Sequence, residues 1–166
     1  MKQDNPTKRL TPCAGRCSTV FGDHVCRGCR RFNHEVIDWN TYSTEQQLSI
    51  WQRLDNQLDQ ILIPMLPNAD IAKIETFLQS KQVRLMPNAS IARKYYHAIR
   101  LCETTPKFCE ISGLGIQENE IKAFWQDFEK RIYALALANY EIAWLRSQSV
   151  RDILLKINDE RNSLDD

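Results

Sequence analysis

The chain has 166 residues, of which 43% are apolar and 26% charged, and its net charge is +1; that suits one globular domain, or a small module on a modest helical domain. No run of about 18 apolar residues occurs, which excludes a membrane-spanning helix. The opening stretch MKQDNPTKRL lacks the apolar segment of a secretory signal, so a cytoplasmic location is expected.

Residues 1–12 are polar, contain Pro6 and Pro12 and show no periodicity, as a flexible arm would. Residues 13–33 concentrate four of the six cysteines, with Gly15, Gly22 and Gly28 supplying tight turns. Asn33 offers an N-cap for a short helix running to Trp39, which Val36, Ile37 and Trp39 anchor. Ser43 and Gln46 form a capping box, and Leu48, Trp51, Leu54, Leu58, Ile61 and Leu62 recur at helical spacing until Pro64 and Pro67 end the pattern.

A small echo follows. The pattern Pro-Asn-Ala-x-Ile-Ala begins at Pro67 and again at Pro87. Each copy reads as a helix start capped by Asn68 or Asn88, and as two similar caps rather than a duplicated binding element. Residues 82–86 and 107–116 suit extended pieces, which allows a minor two-stranded ribbon. From Gln117 to Lys156 the pattern is strongly helical. Ile121, Phe124, Trp125, Phe128, Ile132, Leu135 and Ala136 form one apolar face, and Ile142, Trp144, Leu145, Ile153, Leu154 and Ile157 continue it, with a break expected near Ser147 and Ser149. The tail from residue 158 is polar and expected to fray. The expected fold is therefore mainly α: an arm over 1–12, a loop-rich four-cysteine metal module with its following helices over 13–56, and a helical domain over 57–166.

The cysteines are spaced Cys13-x3-Cys17-x8-Cys26-x2-Cys29. In a reducing compartment such clustering points to metal or redox chemistry rather than to disulfides. Four thiolates close a tetrahedral zinc shell and leave no open catalytic position. The same four satisfy an iron–sulfur cluster, and spacing does not separate the two. Structural zinc is the favoured cofactor and the cluster the alternative. Cys26-Arg27-Gly28-Cys29 has the form of a metal knuckle, in which successive backbone N–H groups point toward sulfur.

Pro12-Cys13, Cys17, Cys26-Arg27-Gly28-Cys29-x-Arg31, the Glu35 to Trp39 helix and the Ser43 helix together resemble the bacterial domain of unknown function 1289, over roughly residues 11–56. Arg31-Phe32 stands where many members have Arg-Thr. The family carries an iron–sulfur label, so the resemblance implies a bound metal centre and no particular activity. Residues 57–166 lie outside it.

Residues 1–34 hold seven lysines and arginines against two aspartates, a net of +5 that leaves −4 for the remainder. Lys8, Arg9, Arg16, Arg27, Arg30 and Arg31 are the candidate partner-binding residues, suited to an acidic protein, RNA or a ribosomal surface. Four thiolates around Zn²⁺ leave a charge of −2, so some of these cations serve as internal compensation. Arg27, between two ligands, suits that role; Arg30 and Arg31 are expected on the exposed side of the knuckle. Aromatic rings for base stacking are few nearby, only Phe21 and Phe32.

His24 is a possible substitute ligand beside a shell already full. His34 reads as a polar surface group, and His97 as a structural histidine beside Tyr95 and Tyr96. Cys102 and Cys109 lack knuckle spacing and read as buried apolar residues. No Ser-His-Asp pattern, phosphate loop or His-Glu metal motif occurs, and ISGLGIQ lacks the third glycine of a dinucleotide turn. The expectation is a non-enzymatic, metal-stabilised binding or adaptor protein with a protein or nucleic-acid partner, neither membrane-bound nor acting on a small molecule. An iron–sulfur protein in electron transfer or redox sensing is the alternative.

Overall fold

Among the residues that the computed structural model describes, 11–162 for the backbone and 11–157 for side chains, six α-helices follow a loop-rich start: α1 (Asn33–Ile37), α2 (Thr44–Met65), α3 (Ile71–Ser80), α4 (Ile91–Thr104), α5 (Cys109–Ser112) and α6 (Ile121–Asn162). Most of the arm, with Lys8 and Arg9, lies outside the described residues, as does 163–166; residues 158–162, expected to fray, continue α6. No described helix is long and apolar enough to cross a membrane.

The α2 capping box forms as its sequence dictates: the Ser43 hydroxyl accepts from the Gln46 N–H at 3.2 Å, and the Gln46 carboxamide accepts from the Ser43 N–H at 2.8 Å. Pro64 falls inside the last turn rather than ending the helix. The other caps lie elsewhere than expected. Asn33 is the first residue of α1, and the Phe32 N–H before it is held by the Glu35 carboxylate at 2.8 Å. Asn68 and Asn88 sit in turns, and the caps are the next side-chain oxygens along, Asp70 accepting from Lys73 N and Ser90 from Arg93 N, each at 3.1 Å. In both copies of the echo the backbone is extended at this position, which presents the oxygen to the third helical N–H.

The ribbon does not form. Residues 82–86 are irregular, while Pro106–Phe108 and α5 are helical, with Pro106 at a helix start where its missing N–H costs nothing. The one β-type pairing among the described residues is an isolated bridge between Val25 and Phe32, inside the cysteine module.

The main core joins α2, α3, α4 and the first half of α6, around Leu62, Ile74, Leu78, Ile99, Phe128 and Ile132, all nearly or wholly buried. Burying each such side chain stabilises the fold by roughly 1.5–3 kcal/mol. Asp55 of α2 takes the Arg93 guanidinium of α4 at 2.6 and 2.7 Å, an ion pair largely shielded from water. Helix α2 runs unbroken past residue 56, so it belongs both to the module side and to the body.

Helix α6 has no break at Ser147 and Ser149, because their hydroxyls bond back to the carbonyls of Trp144 and Leu145 at 2.8 and 3.1 Å and so stay satisfied within the helix. Beyond Tyr140, however, the expected apolar face is not buried: Ile142, Trp144, Leu145, Ile153, Leu154 and Ile157 are all about half exposed or more.

Candidate metal centre

The module begins with a loop carrying Cys13 and Cys17, makes one 3₁₀ turn over Thr19–Phe21, and returns through the knuckle to α1. The knuckle closes as a tight hairpin. Cys26 N donates to Arg31 O at 2.9 Å, Arg30 N to Cys26 O at 2.8 Å, and Asn33 N to His24 O at 2.8 Å. Arg30 turns the chain in the left-handed region, at φ 65°, an uncommon conformation for a residue with a side chain.

Gly28 is the crossing point. A Cβ there would stand 2.6 Å from the Arg16 carbonyl oxygen, so only glycine lets the Cys13–Cys17 loop lie directly across the Cys26–Cys29 turn. The expectation that Gly28 serves a turn is thereby refined: close backbone approach is what requires it. The crossing puts the Cys26 thiol 3.8 Å from the same carbonyl.

The four cysteines are not equally placed. Cys26 and Cys29 are buried, Cys17 is half-buried and Cys13 exposed. The Cys26 thiol is held down to about 4, chiefly by the neighbouring Cys29 side chain and against the effect of burial, with the backbone N–H groups of Cys29, Ser18 and Gly28 adding to it. The Cys29 thiol is pushed up by the neighbouring Cys26 side chain and then by burial, while the Arg31 Nε–H, 3.3 Å from its sulfur, opposes the rise. Cys13 accepts from Gly15 N at 3.4 Å, and Cys17 contacts the Thr19 hydroxyl at 3.1 Å. Among the described residues no three Cys, His, Asp or Glu side chains already stand together as a ligand set. The structure therefore buries two thiols on one turn and lays the loop bearing the other two across it. By donor chemistry these residues fit a thiolate-loving metal: two buried sulfurs on one turn, one of them held toward its ionised form, and a guanidinium bonded to the other.

The arginines require a correction. Arg30 and Arg31 are not on an exposed side; they are 5% and 3% exposed. Arg30 donates to Gly28 O at 2.8 Å, to the Tyr96 hydroxyl at 3.3 Å and to Glu129 at 3.0 Å, and so rivets the knuckle to α4 and α6. Arg31 bonds Cys29 and lies over the Trp39 ring, 4.8 Å from its centroid. The cause is local: the left-handed turn at Arg30 directs the chain leaving the last cysteine inward. Arg27 is the outward one, its side chain 62% exposed beside Asp23 at 3.1 Å and over the Tyr133 ring. Arg16 is exposed.

His24 is exposed and stacks on Tyr140, 5.3 Å between centroids, away from any ligand role. His34 is exposed. Cys102 and Cys109 are buried, as expected, and burial pushes the Cys102 thiol up to about 12. Sequence reading missed Glu35 with its ion-pair partner Arg53, which ties α1 to α2, and it missed Tyr96, Arg100, Trp125 and Glu129, which face the module from the body. No local signal marks the latter four; they lie 67 or more positions beyond Cys29.

The fold and the site define a helical protein carrying an N-terminal, cysteine-built loop module. Residues 11–58 match the model of a family described as protein of unknown function (DUF1289), which is the resemblance read from the cysteine spacing. The match covers less than a third of the chain. No curated protein matches the chain, and no solved structure does.

Proposed function

We propose that Cys13, Cys17, Cys26 and Cys29 hold one structural zinc ion, and that the metal-fixed module serves as the contact surface of a non-enzymatic binding protein with a protein or nucleic-acid partner. The observation that carries this reading is the Arg16 carbonyl seated over Gly28: chain direction alone has already superposed the two cysteine loops. The ion would neutralise thiolates and lock the loops, since apart from its cysteines the apolar packing of residues 13–33 is confined to Val25 and Phe32 against Ala136. Metal binding of this kind supplies about 10 kcal/mol or more of folding free energy. Arg16 and Arg27 would face the partner, and Arg30 and Arg31 would hold the module in place.

Metal analysis of untagged protein, purified anaerobically, tests the reading. The expected result is about one zinc per chain and no visible absorption. Iron with a visible band would replace it by the electron-transfer or redox-sensing alternative. Absence of both metals would sink a metal centre altogether.

A further inference from the structure

Between the module and the body lies a groove of about 560 Å³, within the size range of ligand sites. The module wall is formed by residues 14–18 and the 3₁₀ turn, and the opposite wall by α4 and α6. Three arginines line it from separate segments, Arg16 and Arg27 from the module and Arg100 from α4, with the Arg27 guanidinium itself turned to Asp23 and Tyr133. Among the described residues, neither Arg16 nor Arg100 is ion-paired. Two acids also line it, Glu103 and Glu129, but Glu129 is already bonded to Arg30 from beneath at 3.0 Å.

The groove also has flat apolar surfaces. Tyr96 and Trp125 stack at its floor, with centroids 6.2 Å apart and planes 26° apart. At the rim, Phe21 is 88% and Val20 74% exposed, held outward by a turn that closes on Gly22 at φ 95°. Such exposure contributes nothing to folding, and together with unpaired cations it marks a contact surface. The body thus provides the aromatic rings that the module's own sequence lacks.

We propose that this groove binds single-stranded nucleic acid, with phosphates at Arg16 and Arg100 and unstacked bases against Phe21 and Trp125. A carboxylate-rich peptide would satisfy the guanidinium groups and leave the ring faces unused. A double helix keeps its bases stacked internally, out of reach of these rings, whereas a single strand offers phosphate and base faces together. The inference rests on the proposed function, because the rim exists only while the module is folded.

The test uses the full-length protein as purified and a fluorescein-labelled oligouridylate, read by anisotropy at several salt concentrations, with metal content measured on every sample. Wild type should bind at 50 mM salt. Arg16→Ala with Arg100→Ala should lower the magnitude of the log–log salt slope by about 1.4, roughly 0.7 for each lost phosphate contact. Phe21→Ala, at a position 88% exposed and outside both the core and the cysteines, should weaken binding roughly five- to 150-fold with the slope unchanged. Oligouridylate should also quench tryptophan fluorescence in wild type and less so in Trp125→Phe. The inference is overturned if wild type fails to bind at 50 mM salt, if Phe21→Ala binds as tightly as wild type, or if polyglutamate of equal charge competes as well as the oligonucleotide does. Metal content reads separately on the metal centre: a zinc-loaded protein that ignores RNA removes the groove proposal alone, and a metal-free protein removes the centre.

Discussion

Gly28 meets backbone, not a flexible side chain, so an added methyl has no way to be accommodated without moving the Arg16 segment. Gly28→Ala should therefore separate the two cysteine loops, destabilising the module by about 1–3 kcal/mol. Amide exchange should accelerate over residues 13–31 and metal retention should fall, while Gly22→Ala, where no neighbour lies within 4 Å, should lose only what its positive φ costs. Equal exchange in the two variants would show that the crossing is not the constraint. His97 gives a pH-dependent case. Burial, then the nearby Arg93 and Arg100, lowers its pKa to about 4, against the ordinary 6.5. The unfolded chain then takes up a proton near pH 6.5 and the folded chain only near 4. Stability is complete above this window and declines as pH falls through it, by about 2–3 kcal/mol between pH 7 and 4.5. Urea denaturation of His97→Gln should show a correspondingly smaller difference between those two pH values; an unchanged difference would rule His97 out as the source.

At the scale of elements, α6 does two different things along its length. Its first half supplies Phe128, Ile132 and Ala136 to the core and to the module seat, and Tyr140 stacks under His24. Residues 141–157 are almost all exposed, with no buried position among them. Stability follows buried apolar area rather than helix length. Removing everything after Tyr140 should therefore lower helical ellipticity in proportion to the residues lost and shift Tm by no more than about 2 °C, since less than 1 kcal/mol of packing is removed. A fall of ten degrees or more in thermal denaturation would mean that the distal segment is packed in solution against something the isolated body does not provide.

For the molecule as a whole, the packing is divided. The main core contains no residue of the module, and the module adheres through Val25 and Phe32 on Ala136 and through the Arg30–Glu129 pair. Cys26→Ser, or chelation of the wild type, should consequently release residues 13–33 while the body stays helical. Amide exchange by segment checks this, with protection lost near the N-terminus and retained at Leu62, Ile99 and Phe128. A cooperative collapse of helical ellipticity would show instead that module and body fold as one unit.

The sequence by itself determined the mainly helical class, the α2 capping box, the identity of the cysteine segment and its family likeness, because each depends on residues within one or two turns of each other. It also marked the echo at Pro67 and Pro87, though it placed the caps two residues early: Asn and Asp or Ser compete for a cap on nearly equal terms, and backbone conformation decides between them. What only the tertiary structure decided is where side chains go once the chain has turned. Arg30 and Arg31 look like surface cations in any linear reading, yet one left-handed residue sends both inward. The exposed distal half of α6 carries the same apolar periodicity as the buried half, since periodicity records a face and not whether a partner meets it. The aromatic floor of the groove came from helices 67 and 96 positions beyond Cys29, at Tyr96 and Trp125, a juxtaposition that no local pattern encodes because it is made by the packing of α4 against α6.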